Sequence, residues 1–197
     1  MILPSGSRGI LQFAISRLEP FEGDDREIEK AIGLLRRATS APLWIDDFHV
    51  DVEKGGDVFD DVEKAIRDLV KIDGVLADEN AKGDEGKERA DDDEAANVRT
   101  PLMIAASISI DRMVEATRKI ATKAHQESLA GVTLDPKNQE EVNEKQEDAQ
   151  EQIEEGDEEL TGGKPDKAVE HFRKAWEKTQ ESIEEQAKEP KAGGKGK

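Results

Sequence analysis

Leu102, Met103, Ala106, Ile110, Met113, Thr117, Ile120 and Ala124 recur three and four residues apart, a spacing that a helix gathers onto one face. This is the longest apolar stripe in the chain, and Thr100-Pro101 ahead of it supplies a cap residue and a proline suited to the first helical position. A stripe of that kind must be covered by other helices, so the segment is expected at the centre of a helical bundle.

Shorter stripes of the same period supply the cover. After Asp24 and Asp25, which favour a helix N-terminus, come Ile28, Ala31, Ile32, Leu35 and Ala38. Gly55-Gly56 reads as a turn and Asp57 as an N-cap, leading into Val58, Phe59, Val62, Ile66, Leu69 and Val70. Gly162-Gly163 and Pro165 separate two further segments. The first carries a narrow stripe, Val142, Ala149, Ile153 and Leu160, which suits an outer helix; the second carries Ala168, Val169, Phe172, Ala175, Trp176, Thr179 and Ile183. Ile10, Leu11, Phe13, Ala14, Ile15 and Leu18 predict a short helix ending near Pro20, too short to stand alone.

No strand-like alternation interrupts these patterns, so the expected fold is all-α, a bundle of about five helices. Residues 1–20 read as an N-terminal extension with a short helix and 21–73 as a helical pair. Residues 99–187 read as a three-helix segment packing with that pair as one bundle, and 188–197 as a disordered basic tail. Between the halves, residues 74–98 lose all periodicity and end in Asp91-Asp92-Asp93-Glu94, the composition of a disordered acidic linker. The inner set is expected to include Ile32, Leu35, Trp44, Phe59, Val62, Ile66, Leu69, Ile110, Met113, Ile120, Phe172 and Trp176.

Charge narrows the function classes. Charged residues make up 39% of the chain against 35% hydrophobic, and the formal net charge is −18. Such a surface repels phosphate backbones, which argues against nucleic-acid binding, and disfavours anionic membranes. It suits solubility, a basic partner, divalent cations or high salt. With no cysteine, thiol chemistry, disulfides and thiolate metal sites are excluded. The opening Met1-Ile2-Leu3-Pro4-Ser5 lacks the features of a secretory signal, and no run approaches membrane-spanning length. Localisation is open: cytoplasmic as written, or secreted if the chain is a piece of a larger surface protein.

Reactive constellations are sparse. His49, His125 and His171 sit in different segments without metal or catalytic spacing, and there is no phosphate-cradling glycine loop or nucleophile elbow. No catalytic residue, cofactor or metal ligand is therefore expected. A stretch from Asp78 matches an EF-hand loop at Asp78, Asn80, Gly83 and Asp84, but places Lys82 and Arg89 where ligands should stand. Asp46, Asp47, Asp51 and Asp57 read as a solvated turn, and Trp44 and Trp176 as core residues. The candidate binding surface is the acidic face of the helix over residues 140 to 160, with Glu140, Glu144, Glu147, Glu151, Glu155 and Glu158 as its partner-facing residues. The expected function is a non-enzymatic structural or protein–protein interaction module, acting on an unknown protein partner or by self-association. The alternative is an acidic divalent-cation-binding or salt-adapted helical protein.

Two resemblances accompany this reading. Gly162-Gly163-Lys164-Pro165-Asp166-Lys167-Ala168-Val169-Glu170-His171-Phe172-Arg173-Lys174-Ala175 resembles the second half of a tetratricopeptide repeat, over one helix and its turn. Ile28 to Ile32, Leu43-Trp44-Ile45-Asp46, Gly56-Asp57-Val58-Phe59, Glu63-Lys64-Ala65, Asp111-Arg112-Met113, Gly163 to Val169 and Ala175-Trp176 together resemble a helical module at the C-terminal ends of large secreted or surface multidomain prokaryotic proteins. That likeness covers residues 25 to 187. It implies an all-α terminal domain without a known active site.

Overall fold

The computed structural model describes residues 5–72 and 100–190. The expected acidic linker, with the EF-hand-like stretch from Asp78, and most of the basic tail lie outside the described residues. Six α-helices are formed among those described: α1 (Ser7–Leu18), α2 (Arg26–Ala38), α3 (Gly55–Val70), α4 (Pro101–Ala130), α5 (Gln139–Thr161) and α6 (Pro165–Ala187). No strand is formed among them, and Trp44 and Val50 make one isolated antiparallel bridge. The chain folds as an all-α bundle.

Local chemistry sets the helix ends. The Asp25 carboxylate accepts the backbone N–H groups of Glu27 and Ile28 at 2.8 and 3.2 Å, and Thr100 accepts that of Met103 at 3.2 Å, satisfying donors that the first turn leaves open. Asp57 does not act as the N-cap of α3. That helix starts earlier, at Gly55, and Asp51 instead receives the N–H groups of Glu53 and Lys54, leaving Asp57 in the first turn, where its charge meets the helix dipole. Gly55 is closely packed at that start: a Cβ there would stand 2.6 Å from Val50 Cγ2 and 2.7 Å from the Trp176 ring.

α4 lies at the centre, packed on α1, α6, α5 and α3; α2 packs on α3 and α1, and α5 packs chiefly on α6. Every residue of the expected inner set is buried. The Phe59 and Trp176 rings join α3 to α6 with centroids 5.8 Å apart, and the Trp44 indole N–H donates to Ala38 O at 2.7 Å, closing the end of α2. Of the expected stripe residues, Val70 and Leu160 are exposed, and Phe13, Leu102, Met103 and Ile183 are half-buried.

α1 contributes more than a short extension would. Ile10, Leu11, Ala14, Ile15 and Leu18 are buried, and Ser109 on α4 donates its hydroxyl to Ala14 O at 3.2 Å. A helix of three turns is unstable alone in water, and packing an amphipathic face supplies what propensity cannot. The far side of α1 is tied to the turn after α2: Arg8 N donates to Asp47 O at 3.1 Å and Arg8 Nε to Thr39 O at 3.0 Å.

Candidate functional site

α5 is an outer helix with a thin buried edge made of Val142, Ala149, Ile153 and Gly156. Gly156 decides how close it comes to α6. A Cβ at that position would stand 2.5 Å from Phe172 Cε1 and 2.8 Å from Cδ1, well inside van der Waals contact, so the bare backbone seats the ring. Towards the other end, a buried polar layer replaces apolar packing. Ser128 Oγ and Ser182 Oγ lie 2.9 Å apart, and Gln146 and Gln186 both donate side-chain N–H to Ser128 O, at 2.9 and 2.7 Å. Each partner in this layer is satisfied, so α4, α5 and α6 are held in one register without an unpaired polar group among these four residues.

With α5 seated in this way, its carboxylates divide into two sets. Those on the flanks turn inward to basic side chains of α4, of α6 and of the turn before it. Asp157 takes a two-point contact from Arg118 on α4, with both N···O distances 2.6 Å, and Asp148 meets Lys178 at 3.3 Å. Glu155 meets His171 at 3.0 Å, and Glu159 meets Lys164 at 3.0 Å. Lys145, the cation within this stretch of α5, leans across to Glu181 at 2.9 Å, which raises its pKa. Arg118 is likewise held fully charged by Asp157.

The second set has no such partner. Glu140, Glu144, Glu147, Glu151 and Glu158 are exposed, and no cation of the described residues comes within ion-pair distance of any of them. At about 100° per residue they project within an arc of roughly 60°, along roughly 27 Å of helix. Glu155 is the exception among the six partner-facing residues expected from sequence: it is half-buried and committed to His171.

The other sequence candidates are placed elsewhere. Asp46 accepts the N–H groups of Phe48 and His49, and its other oxygen lies 2.7 Å from His49 Nδ1, while His49 Nε2 lies 2.9 Å from Glu127 on α4. The turn is thereby linked to the bundle, and both carboxylates raise the His49 pKa. His125 is buried with its Nδ1 unpartnered, and burial lowers its pKa. Trp44 and Trp176 are core residues. Asp46, Asp47, Asp51 and Asp57 do not converge, and no group of three metal-ligating side chains occurs among the described residues. No described helix is long and apolar enough to cross a membrane.

Sequence reasoning missed a second charged surface. α2 and α3 border a groove of about 570 Å³ lined by Lys30, Arg37, Lys64, Arg67 and Lys71 together with Leu34 and Asp68. Its signal was present as cations seven residues apart on α2 and three and four apart on α3, but each set read as an ordinary solvated helix face. Compared with protein-family models, curated proteins and solved structures, the chain has no match.

Proposed function

We propose that this protein is an interaction module that docks a basic partner along the outer face of α5. The observation that carries this reading is the division of the α5 carboxylates. Asp148, Glu155, Asp157 and Glu159 each meet a basic side chain of the bundle, whereas along one stripe Glu140, Glu144, Glu147, Glu151 and Glu158 have no cation of the described residues within ion-pair distance. Like charges one helical turn apart disfavour the helix by about 0.2–0.5 kcal/mol per pair. A partner carrying Lys or Arg at matching intervals relieves that repulsion and adds about 0.2–1 kcal/mol per exposed ion pair.

Binding of this kind gives fast, salt-sensitive association more than high affinity. The test is fluorescence anisotropy with a labelled Lys-rich helical peptide. Neutralising the stripe with Glu140→Gln, Glu144→Gln, Glu147→Gln and Glu151→Gln should abolish most binding. An equal change of net charge at Asp91, Asp92, Asp93 and Glu94 should leave most of it intact. Equal losses from the two variants would show that total charge, not the stripe, attracts the peptide, and would refute the proposal.

A further inference from the structure

His49 joins two parts of the chain through both of its ring nitrogens. Nδ1 lies 2.7 Å from Oδ2 of Asp46, within its own turn, and Nε2 lies 2.9 Å from Oε1 of Glu127 on α4. A neutral imidazole carries one N–H, and only the protonated ring donates to two carboxylates at once. The two contacts together therefore require the imidazolium. Among the hydrogen bonds of the described residues, the one to Glu127 is what joins the turn over residues 44–50 to α4. On its other side the turn is held by groups that do not titrate where histidine does: Arg8 N–H donates to Asp47 O, and the Arg8 guanidinium donates to Thr39 O at the end of α2.

Loss of the ring proton does not affect the two contacts equally. Oδ1 of Asp46 accepts the backbone N–H groups of Phe48 and His49 at 2.7 and 2.9 Å, which fixes that carboxylate inside the turn. Its pKa is lowered, first by the Phe48 N–H and then by His49, so it remains an acceptor. The single N–H of a neutral ring is thereby kept on Nδ1, and Nε2 turns a lone pair towards Glu127. Two acceptors 2.9 Å apart repel. Glu127 has another partner to keep, since Lys123, one turn back on α4, lies 3.0 Å from the same oxygen. No other carboxylate of the described residues is within ion-pair distance of the ring, and Asp47 and Asp51 in the turn and Arg8 on α1 make no hydrogen bond to it.

We propose that His49 is a proton-operated latch, which fastens the turn to α4 when the ring is charged and releases that side of the turn when it is neutral. The pKa of the ring is raised, by Asp46 and then by Glu127, so the latch is closed below 6.5 and opens as pH rises through the folded value. Because the α1 side stays fastened, the turn loosens while the bundle remains folded, and the exposed side chains of Ile45 and Phe48 loosen with it. It is a local opening, of the kind that costs far less free energy than global unfolding.

Backbone ¹⁵N relaxation of the full chain, at about pH 5 and about pH 8, tests the latch. Order parameters over residues 45–49 should be about 0.85 at the lower pH and fall towards about 0.6 at the higher. The change should follow the titration of the His49 ring, while α4 stays ordered throughout. Glu127→Gln separates a latch from a packing contact. Its amide accepts from the charged ring and, turned over, donates to the neutral one, so the turn should stay ordered at both pH values. Glu127→Ala, which offers neither, should leave it loose at both. A native turn whose order does not change with pH overturns the proposal, as does a Glu127→Gln chain that still loosens with the native midpoint. A pH-dependent loosening that survives His49→Gln would assign the change to another group and overturn it too.

Discussion

Gly156→Ala and Gly33→Ala are the same chemical change with opposite expected outcomes. Both glycines lie inside helices, so each alanine gains about 1 kcal/mol of helix propensity. At Gly33 nothing stands within 4 Å of the new methyl, and the gain should appear as stability. At Gly156 the methyl would sit 2.5, 2.8 and 3.0 Å from three carbons of the Phe172 ring, where contact distances are about 3.5–4.0 Å, so ring or helix must shift by about 1 Å. Phe172 is fully buried and has no free space to yield, and overpacking of this kind costs about 1–3 kcal/mol. The net effect at Gly156 is a loss of about 0–2 kcal/mol. The difference between the two variants, from which propensity cancels, is about 1–3 kcal/mol, or roughly 2–12 °C in Tm for a chain of this size. Urea and thermal unfolding followed by circular dichroism measure it. Phe172→Leu, which removes the ring edge, should cost less in the Gly156→Ala background than alone, giving a favourable coupling in a double-mutant cycle. Equal Tm changes for the two alanines, or additive behaviour with Phe172→Leu, would refute the idea that Gly156 exists to admit the ring.

Three further outcomes are expected. Trp44→Phe keeps most of the apolar area but leaves Ala38 O without its donor, and should lower stability by about 1–3 kcal/mol in urea unfolding. His49, whose pKa is raised first by Asp46 and then by Glu127, contributes stability that is fully present below its unfolded value of 6.5 and is lost as pH rises through its folded value; His49→Gln should remove that part of the pH dependence. His125 runs the other way: burial lowers its pKa, so stability is intact above 6.5 and falls as pH drops through the folded value, and His125→Leu should be more acid-resistant than the native chain in the same melts. NMR titration of the two imidazoles, one above and one below 6.5, checks both signs; the reverse order would refute the assignments.

The helices themselves were legible in sequence because their causes are local. Period, Asp25, Thr100-Pro101, Gly162-Gly163 and Pro165 act within one or two turns, and the helices from Pro101 and Pro165 begin where those signals stand. The core residues followed, since a stripe must be buried whatever covers it. Asp57 was misplaced as a cap because α3 begins two residues earlier, at Gly55, where Trp176, far along the chain, packs against the helix start. Among the described residues, five of the six expected glutamates have no cation within ion-pair distance, while Glu155 meets His171, and that depends on how α5 is rotated against α6 around Phe172 and Gly156. The α2–α3 groove arises in the same way, from two cationic faces that are each unremarkable alone. Periodicity fixes which side of a helix is buried through neighbours three and four residues away. Which side chains then meet across helices depends on axial register and rotation, set by packing between residues tens of positions apart, and only the assembled bundle contains that information.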